Sequence, residues 1–280
     1  MKVAVLGAGG LLGRHVVEEL RRAATHEVAA FDRSACDIAD LAQVRRATAG
    51  AEAFVNCAAF TNVDGAEAAE DAAYRANALG AENAARAADA SGARLVHVST
   101  DFVFDGTQAE PYDELAIPNP LSIYARSKWA GEELAKARCR SLFLVRVQGL
   151  YGAGGANFSS KLRELVLQRK PLKLDGERRV QPTWARAAAR QIVALVATDA
   201  YGIYHVSCKG AATWAEFAAH LAARVGVEPA WQVVKTGELK AAAVRPPNCL
   251  FHHRMLGMRG LDMMPTWQDA LDEYLAEPGA

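Results

Sequence analysis

A glycine-rich loop close to the N-terminus places the strongest constraint on how this chain folds. Gly7, Gly10 and Gly13 form a G-x-x-G-x-x-G pattern, which directly follows an apolar run and opens a helical pattern. Glycines at this spacing allow a tight turn and a close approach of the backbone to a phosphate at the N-terminus of a helix. The loop therefore predicts a βα unit that binds a dinucleotide pyrophosphate through these glycines and the intervening Leu11 and Leu12.

Short apolar runs alternate with helical patterns through the first half of the chain. Strands are predicted at residues 3–6, 27–31, 53–57, 94–98 and 141–147, and helices at 11–20, 39–48, 71–90 and 122–137. This alternation predicts an α/β fold, a Rossmann-type doubly wound parallel sheet.

The regular alternation of predicted strands and helices ends after about residue 155. Helices are predicted at 158–169, 183–197, 214–225 and 265–275, short strands at 172–180 and 202–206, and irregular structure at 234–260. We expect residues 1–155 to form an NAD(P)-binding Rossmann domain. Residues 156–280 are expected to form a smaller C-terminal α/β substrate lobe that shares the same core.

Composition argues against several classes of partner. The 32 basic residues balance the 32 acidic residues, which disfavours nucleic acid or an anionic membrane as an obligate partner. No apolar run approaches ~18 residues and the N-terminus does not resemble a signal peptide, so we expect a cytoplasmic protein without a membrane span. The five cysteines are widely spaced, which predicts reduced packing residues. Adjacent His252 and His253 do not predict a metal site.

Polar residues follow the second predicted strand, where the adenosine of a dinucleotide would lie. Asp32 is placed to accept the ribose hydroxyls, which favours NAD, whereas the adjacent Arg33 is suited to a 2′-phosphate and favours NADP. Asp37 and Ile38 come next and are expected to flank the adenine, although Asp37 is as well suited to capping a helix. The sequence therefore predicts a dinucleotide and leaves its identity open.

Small and polar residues follow the third and fourth predicted strands. Ala58, Ala59 and Thr61 would let a cofactor lie against the edge of the sheet, although close packing alone also explains the alanines. Thr100 comes at the end of the fourth strand, and a side chain there points into the crevice where ligands bind in such sheets. We expect its hydroxyl to contact a substrate carbonyl.

Tyr124 and Lys128 stand four residues apart in a predicted helix and therefore share one face. A nearby ammonium stabilises a phenolate and lowers a tyrosine pKa from its usual value near ~10. A phenol tuned in this way can give or take a proton in catalysis. We expect Lys128 to tune Tyr124.

These motifs together resemble an extended short-chain dehydrogenase/reductase and, more narrowly, the dTDP-4-dehydrorhamnose reductase family. The resemblance rests on stretches that run through most of the chain in the family's order: residues 7–13, 56–67, 99–106, 119–132, 150–152, 157–158, 182–183, 202–205 and 245–246. The string Ser-Thr-Asp-Phe-Val-Phe-Asp-Gly at 99–106 is the most specific of them.

The resemblance implies an enzyme that uses NADPH or NADH to reduce the 4-keto group of a nucleotide-diphosphate 6-deoxy sugar, most narrowly dTDP-4-dehydrorhamnose to dTDP-rhamnose in polysaccharide biosynthesis. It implies catalytic roles for Thr100, Tyr124 and Lys128. It also implies that Tyr124 and Lys128 contact the cofactor, Lys128 at the hydroxyls of the nicotinamide ribose. Substrate contacts are implied for Thr100, Asp101, Val103, Gly149, Asn157 and Arg245, with Arg178 or Arg179 as further candidates for the diphosphate. It also makes a homodimer plausible, and no resident metal is expected.

The chain departs from the family where the sugar is expected to bind. Val147 and Gln148 replace a Thr-Ser pair, Gly149 replaces a tryptophan, and Leu11 replaces a glutamine of the glycine loop. Trp184 and Trp214 are better explained by core packing than by stacking on a ligand. The reaction type is therefore predicted more firmly than the substrate or the product stereochemistry.

Two alternatives remain open from the sequence. One is a reductase or epimerase that acts on a different nucleotide sugar. The other is a non-catalytic, dinucleotide-binding regulatory subunit resembling the beta subunit of methionine adenosyltransferase. Retention of Thr100, Tyr124 and Lys128 favours an enzyme, while the altered residues 147–149 fit a changed or unused sugar site.

Overall fold

The computed structural model describes residues 1–154 and 158–277. Its strands are β1 (Lys2–Leu6), β2 (Glu27–Phe31), β3 (Ala53–Asn56), β4 (Arg94–Thr100), β5 (Leu142–Val147), β6 (Leu150–Tyr151), β7 (Leu172–Asp175), β8 (Thr183–Trp184), β9 (Gly202–Val206) and β10 (Trp231–Val234). Its α-helices are α1 (Leu11–Arg22), α2 (Leu41–Ala47), α3 (Val63–Ala66), α4 (Glu70–Tyr74), α5 (Gly80–Ser91), α6 (Ile123–Arg138), α7 (Phe158–Leu167), α8 (Ala185–Val196), α9 (Trp214–Val225), α10 (Arg254–Met258) and α11 (Trp267–Ala276).

Six of the described strands form one parallel sheet in the order β2-β1-β3-β4-β5-β9. The strand order reverses between β1 and β3, and in such sheets ligands bind in the crevice at that reversal, beyond the carboxyl ends of the strands. The glycine loop follows β1, and Thr100 ends β4 at the same edge. The predicted doubly wound parallel sheet is therefore confirmed.

Helices cover both faces of this sheet, which is why its strands read as continuous apolar runs. Alternate residues of β1 enter different cores: Val3 and Val5 belong to a cluster that includes residues of α1 and α8, and Ala4 and Leu6 to one that includes residues of α5. Helices α1 and α8 pack together, as do α5 and α6 on the opposite face. Both faces of the sheet are therefore covered by helices, and the carboxyl edge of the strands is the part of the sheet that a ligand can reach.

The predicted helix at residues 71–90 is interrupted. A π-helical turn, Arg75–Leu79, joins α4 to α5, and Gly92 ends α5 in the left-handed region with φ 68°. The turn carries the buried Asn77, which donates to Ser127 Oγ at 2.9 Å and accepts from the backbone N–H of Phe60 at 2.8 Å. A π-turn of this kind often marks a functional region, and the sequence periodicity gave no signal for it.

The described residues after 158 extend the large sheet and also contribute to two small two-stranded sheets. Strand β9 pairs with β5 and completes the large sheet, while β7 pairs with β10 and β6 with β8. The first two residues of the predicted helix at 183–197 form β8 instead, because Thr183 donates its N–H to Gly149. The predicted irregular stretch at 234–260 contains α10. The division at residue 155 stays a prediction.

A search of the described ranges finds no helix that is both long and apolar enough to cross a membrane.

Candidate active site

The glycine loop is pressed against the backbone that follows β3. Gly7 has φ +77°, and a Cβ on it would lie 2.5 Å from the backbone nitrogen of Ala58. A Cβ on Gly13 would lie 2.2 Å from the carbonyl oxygen of Gly7. Gly10 precedes α1 and has no side chain to cap it, so the first N–H groups of a twelve-residue helix face the crevice. These features fit a bound pyrophosphate.

The two leucines of the loop differ in placement. Leu12 is buried in the core cluster beside α1, while Leu11 is half-buried and lies near Gly152. Leu12 therefore has only its backbone left to contact a ligand, and Leu11 has part of its side chain as well.

Asp32 and Arg33 are both exposed at the carboxyl end of β2. Asp32 Oδ1 accepts from the N–H of Ser34 at 2.9 Å, its hydroxyl at 2.7 Å and the N–H of Ala35 at 3.0 Å. These donors hold the pKa of Asp32 below its usual value. Asp32 is therefore a charged residue that shapes its own turn, and the exposed Arg33 is free of the core.

The two residues of the next predicted pair differ in exposure, since Asp37 is half-buried and Ile38 is buried. Asp37 Oδ2 accepts from Arg75 at 2.6 Å, which lowers the pKa of Asp37. Ile38 is buried and packs where a Cβ on Gly80 would lie, 2.5 Å from its Cδ1. The Ile38 side chain therefore belongs to the core, and contact of Asp37 and Ile38 with an adenine stays a prediction.

The residues after β3 lie where the sequence predicted. Ala58 and Ala59 are half-buried beside the glycine loop, and Thr61 is exposed. The chain is held here by Asn56, whose side chain accepts from the N–H of Ala58 at 3.1 Å. Small side chains at 58 and 59 leave the crevice open above the sheet.

Tyr124 and Lys128 both lie on α6, which begins after Ser122; the Ser122 hydroxyl accepts from the N–H of Ala125 at 3.2 Å. Tyr124 is half-buried, and its phenol is hydrogen-bonded to the Thr100 side chain. Lys128 is buried and its Nζ donates to the carbonyl oxygen of Val98 at 2.6 Å. The helix thus brings the predicted tyrosine to the predicted threonine.

The electrostatics of this pair differ from the expectation. Burial raises the pKa of Tyr124 to about 12, although the hydrogen bond with Thr100 opposes the rise. Burial lowers the pKa of Lys128 to about 8, with the carboxylate of Glu132 opposing. The pKa of Tyr124 is therefore shifted upward, because desolvation dominates and the Lys128 ammonium donates to Val98. Stabilisation of the Tyr124 phenolate by Lys128 stays a prediction.

Asp101 lies beside these groups and is 6% exposed. Its Oδ1 accepts from the Thr100 hydroxyl at 3.0 Å, and its Oδ2 accepts from Gln148 Nε2 at 2.9 Å. Burial raises the pKa of Asp101 to about 6, against these hydrogen bonds. Val103, in contrast, is fully buried in a cluster with Phe104, and its implied contact with the substrate stays a prediction.

Gly149 occupies the family's tryptophan position with φ +55°. A Cβ there would lie 2.9 Å from the carbonyl oxygen of Gln181, so this backbone does not accept a larger residue without shifting. The altered stretch is thus adapted to glycine. Asn157, also implied in substrate binding, lies outside the described residues.

The candidate arginines are engaged by carboxylates. Arg245 donates to both oxygens of Asp64 at 2.9 and 2.7 Å, which lowers the pKa of Asp64 to about 2. Arg178 is mostly buried, with Nε 3.9 Å from Asp175 Oδ2. Arg179 is exposed. Any anion that Arg245 binds must therefore share its guanidinium with Asp64.

Sequence reasoning missed several residues of this region. Gln148 contacts Asp101, Glu132 forms a buried ion pair with Arg146 next to Lys128, and Asp64 pairs with Arg245. The arginine within the apolar β5 was a usable signal, because a buried charge needs a partner. As predicted, Trp184 and Trp214 pack in the core.

Comparisons with known proteins agree with this geometry. A model of the RmlD substrate binding domain family matches residues 1–279. The spore coat polysaccharide biosynthesis protein SpsK of Bacillus subtilis (strain 168) is 36% identical over 278 residues, 99% of this chain and 97% of that protein. The dTDP-4-dehydrorhamnose reductase of Streptomyces griseus is 37% identical, with 96% of this chain and 91% of that protein covered.

A solved structure is equally similar. The crystal structure of dTDP-4-dehydrorhamnose reductase from Bacillus anthracis str. Ames in complex with NADP matches with a TM-score of 0.95 and 36% identity, over 99% of each chain. The sequence resemblance is thereby confirmed. The chain belongs to the RmlD substrate-binding domain family.

Proposed function

We propose that this protein is an NAD(P)H-dependent oxidoreductase that reduces the 4-keto group of a nucleotide-diphosphate 6-deoxy sugar, in its narrowest form dTDP-4-dehydrorhamnose. The observation that carries the proposal is the meeting of Tyr124 and Thr100 at the carboxyl edge of the sheet, beside the glycine loop. Relatives at 36–37% identity over nearly the whole chain include a dTDP-4-dehydrorhamnose reductase, and the similar solved structure holds NADP.

The loop and its neighbours supply the dinucleotide site. The N–H groups at the start of α1 would hold the pyrophosphate, and Asp32 and Arg33 offer a carboxylate and a guanidinium to the adenosine ribose. When bound, the reduced nicotinamide supplies the hydride. Both NADPH and NADH fit this donor set.

Tyr124 gives its phenolic proton to the oxygen that forms at C4 of the sugar. A pKa of about 12 keeps the phenol protonated at neutral pH, so the donor is present before the reaction. Lys128, with a pKa of about 8, is mostly charged at pH 7. Its ammonium stabilises the phenolate that remains after proton transfer.

The nucleotide sugar would lie between Asp101 and Gly149 on one side and the segment that carries Arg245 on the other. Arg245 and the deeper Arg178 supply guanidinium groups for the diphosphate. The glycine at 149 removes the aromatic wall that the family usually has, so we expect the sugar preference to differ from that of relatives with tryptophan. A homodimer remains a prediction.

The test is oxidation of NADPH and NADH with dTDP-, UDP-, GDP- and CDP-linked 4-keto sugars. Tyr124→Phe is expected to lower turnover by about 10³-fold, because the proton donor is lost while the ring remains. Tyr74→Phe makes the same chemical change on α4, outside the proposed site, and should retain turnover. Near-normal turnover in Tyr124→Phe would refute the mechanism.

Dinucleotide binding separates the alternatives. Tyr124→Phe should bind NADPH within about twofold of the wild type, since it keeps the glycine loop and Lys128. Tight NADPH binding by the wild type, without reduction of any sugar in the panel, would favour the non-catalytic regulatory subunit.

A further inference from the structure

One carboxylate holds the start of the segment that carries Arg245, residues 242–249. Asp64 of α3 accepts from the N–H of Ala243 at 3.0 Å and from Arg245 Nη1 and Nη2 at 2.9 and 2.7 Å. Further along the segment, Asn248 Nδ2 donates at 3.1 Å to a carbonyl oxygen of the loop that follows β4. Helix α3 follows β3, so the segment runs along the carboxyl edge of the sheet.

Two prolines stiffen this segment next to Arg245. Pro246 and Pro247 follow Arg245 directly, and a residue before proline is biased toward extended backbone. Each proline also fixes its own φ. Gly106, with φ +76°, lets the loop after β4 approach the prolines, since a Cβ on it would lie 2.8 Å from Pro247 Cδ. The Arg245 side chain therefore projects from a stiff backbone that is held on both sides.

The contact with Asp64 uses one edge of the Arg245 guanidinium. A guanidinium has five N–H donors in one plane. Nη1 donates to Asp64 Oδ1 and, at 3.3 Å, to the carbonyl oxygen of Ala243, while Nη2 gives one N–H to Asp64 Oδ2. Within residues 1–154 and 158–277, the second Nη2–H and the Nε–H have no hydrogen-bond acceptor. These two donors form a second fork, which matches two oxygens of a phosphate group.

Arg245 borders the crevice that contains Asp101. Its side chain is 25% exposed, so a ligand can reach it. Burial lowers the pKa of Arg178, the charge of Arg245 lowers it further, and the carboxylates of Asp175 and Asp101 oppose the shift. Arg178 therefore lies within electrostatic range of both Arg245 and Asp101, and the two arginines face the same crevice.

Helix α3 is itself tied to the helix that carries Tyr124. Asn62 caps α3, because its side chain accepts from the N–H of Gly65 at 2.9 Å. Glu67, which follows α3, accepts at 2.9 Å from the N–H of Ile123, the residue before Tyr124. The carboxylate that holds Arg245 is therefore carried by an element that is fixed relative to the catalytic phenol.

We propose that Asp64 is a positioning residue for substrate binding: it holds one edge of the Arg245 guanidinium, so that the Nε–Nη2 edge is kept in place for one phosphate of the nucleotide sugar's diphosphate. This inference rests on the proposed reduction and adds the residue that sets where the diphosphate lies relative to Tyr124. Because Asp64 offsets the charge of Arg245, recognition depends on the geometry of the fork more than on net charge.

The first test measures the binding of dTDP, UDP, GDP and CDP by isothermal titration calorimetry and then compares variants with the tightest of the four. Asp64→Asn is expected to bind it about 10-fold more weakly than the wild type, because Arg245 is no longer preorganised. Charge alone predicts the opposite sign, since a carboxylate beside a phosphate repels it. Tighter binding by Asp64→Asn would overturn the proposal, as would a wild type that binds none of the four.

Arg245→Lys shows whether Asp64 acts through Arg245. Lysine keeps the positive charge and lacks the fork, so we expect a loss of about 10-fold here as well. The double variant should also bind about 10-fold more weakly than the wild type rather than about 100-fold, because both changes remove the same interaction. Additive losses would mean that Asp64 acts independently of Arg245, which contradicts the proposal.

NADPH affinity and kinetics separate positioning from a merely structural role. Asp64→Asn should bind NADPH within about twofold of the wild type and should raise KM about 10-fold with kcat nearly unchanged. If NADPH affinity and kcat fell together, Asp64 would only stabilise the fold and the proposal would be wrong. Asp113→Asn is the matched control: it removes the carboxylate of the Arg254 ion pair, outside the crevice, and should leave both affinities unchanged.

A spectroscopic readout does not depend on turnover. The ¹⁵N–¹H signal of Arg245 Nε, assigned by its absence in Arg245→Lys, should move when the nucleoside diphosphate is added to the wild type, and much less in Asp64→Asn. An unmoved signal in the wild type would overturn the inference even if the reductase assay succeeds. If the signal moves and the affinities change as expected while no sugar is reduced, the diphosphate site stands and the proposed reduction fails.

Discussion

Helix α6 carries two buried charges one turn apart, and their surroundings are opposite. Glu132 is fully buried and accepts from Arg146 Nε at 3.0 Å, from Arg146 Nη2 at 2.7 Å and from the Ser99 hydroxyl at 2.5 Å. Lys128, at the same depth, donates to one neutral carbonyl oxygen of Val98. The first charge has a charged partner in ideal geometry and the second does not.

Asp101 resembles Lys128 rather than Glu132. It is buried among the neutral donors of Thr100 and Gln148, and burial shifts its pKa upward as it shifts that of Lys128 downward. Buried charges without charged partners lower the stability of the folded state and are concentrated where chemistry occurs. The ion-pair network of Glu132 links β4, β5 and α6, whereas Lys128 and Asp101, which have no charged partner, are suited to proton exchange.

The largest effect is expected from breaking the paired network. Arg146→Met leaves the Glu132 carboxylate buried without its partner and should lower the free energy of unfolding by about 3–5 kcal/mol. Urea denaturation at pH 7 measures this. The double variant Glu132→Met with Arg146→Met should recover most of the loss, since an apolar pair needs no charge compensation. If Arg146→Met were as stable as the wild type, the proposed difference between the surroundings of Glu132 and those of Lys128 would be contradicted.

The second effect has the opposite sign. Lys128→Met should raise the free energy of unfolding at pH 7 by about 2 kcal/mol while abolishing turnover, because the folded state disfavours the charged lysine. The pKa of Lys128 is about 8 in the folded state and 10.5 in its usual state, so the gain shrinks as pH rises through this window. Lys136→Met, on the exposed face of α6, should change stability by less than ~0.5 kcal/mol. If Lys128→Met were less stable than the wild type, Lys128 would stabilise the fold as the Glu132–Arg146 pair does, and the comparison would be contradicted.

The smallest effect is expected at Asp101. Asp101→Asn should raise the free energy of unfolding by about 1–2 kcal/mol above pH 6, since the folded state holds the carboxylate at a pKa of about 6 against a usual 3.8. The difference should vanish below about pH 4, where the carboxyl is protonated in both states. Denaturation at pH 4 and pH 7.5 checks the sign. Asp113→Asn should instead destabilise slightly at pH 7.5, because Arg254 lowers the pKa of Asp113.

Helical spacing placed Tyr124 and Lys128 on one face of α6, and the strand-end position placed Thr100 beside them. Both are local properties of the sequence. How deeply the site is buried depends on distant parts of the chain. Burial raises the pKa of Tyr124 above its usual value, and the spacing of Tyr124 and Lys128 in the sequence gives no sign of this burial. Sequence periodicity therefore predicted which residues of the site are neighbours, but not how strongly burial shifts their pKa values.

Contacts between residues that are far apart in the chain could not be predicted from the sequence. Arg245 and Asp64 are 181 positions apart, and Gln148 joins Asp101, just after β4, to Cys249 of the C-terminal segment. The burial of the Ile38 and Val103 side chains could not be predicted for the same reason, since an apolar side chain beside a ligand motif looks the same in sequence whether it faces the ligand or the core.

The position of β9 bears on how the protein is made. Strand β5 is buried along its whole length, yet its outer partner β9 is synthesised only after β6, α7 and α8. At roughly 5–20 residues per second, a nascent chain that has just released β5 from the ribosome waits several seconds with an unpaired apolar strand edge. During synthesis this edge is exposed to aggregation, and we expect chaperones to bind there.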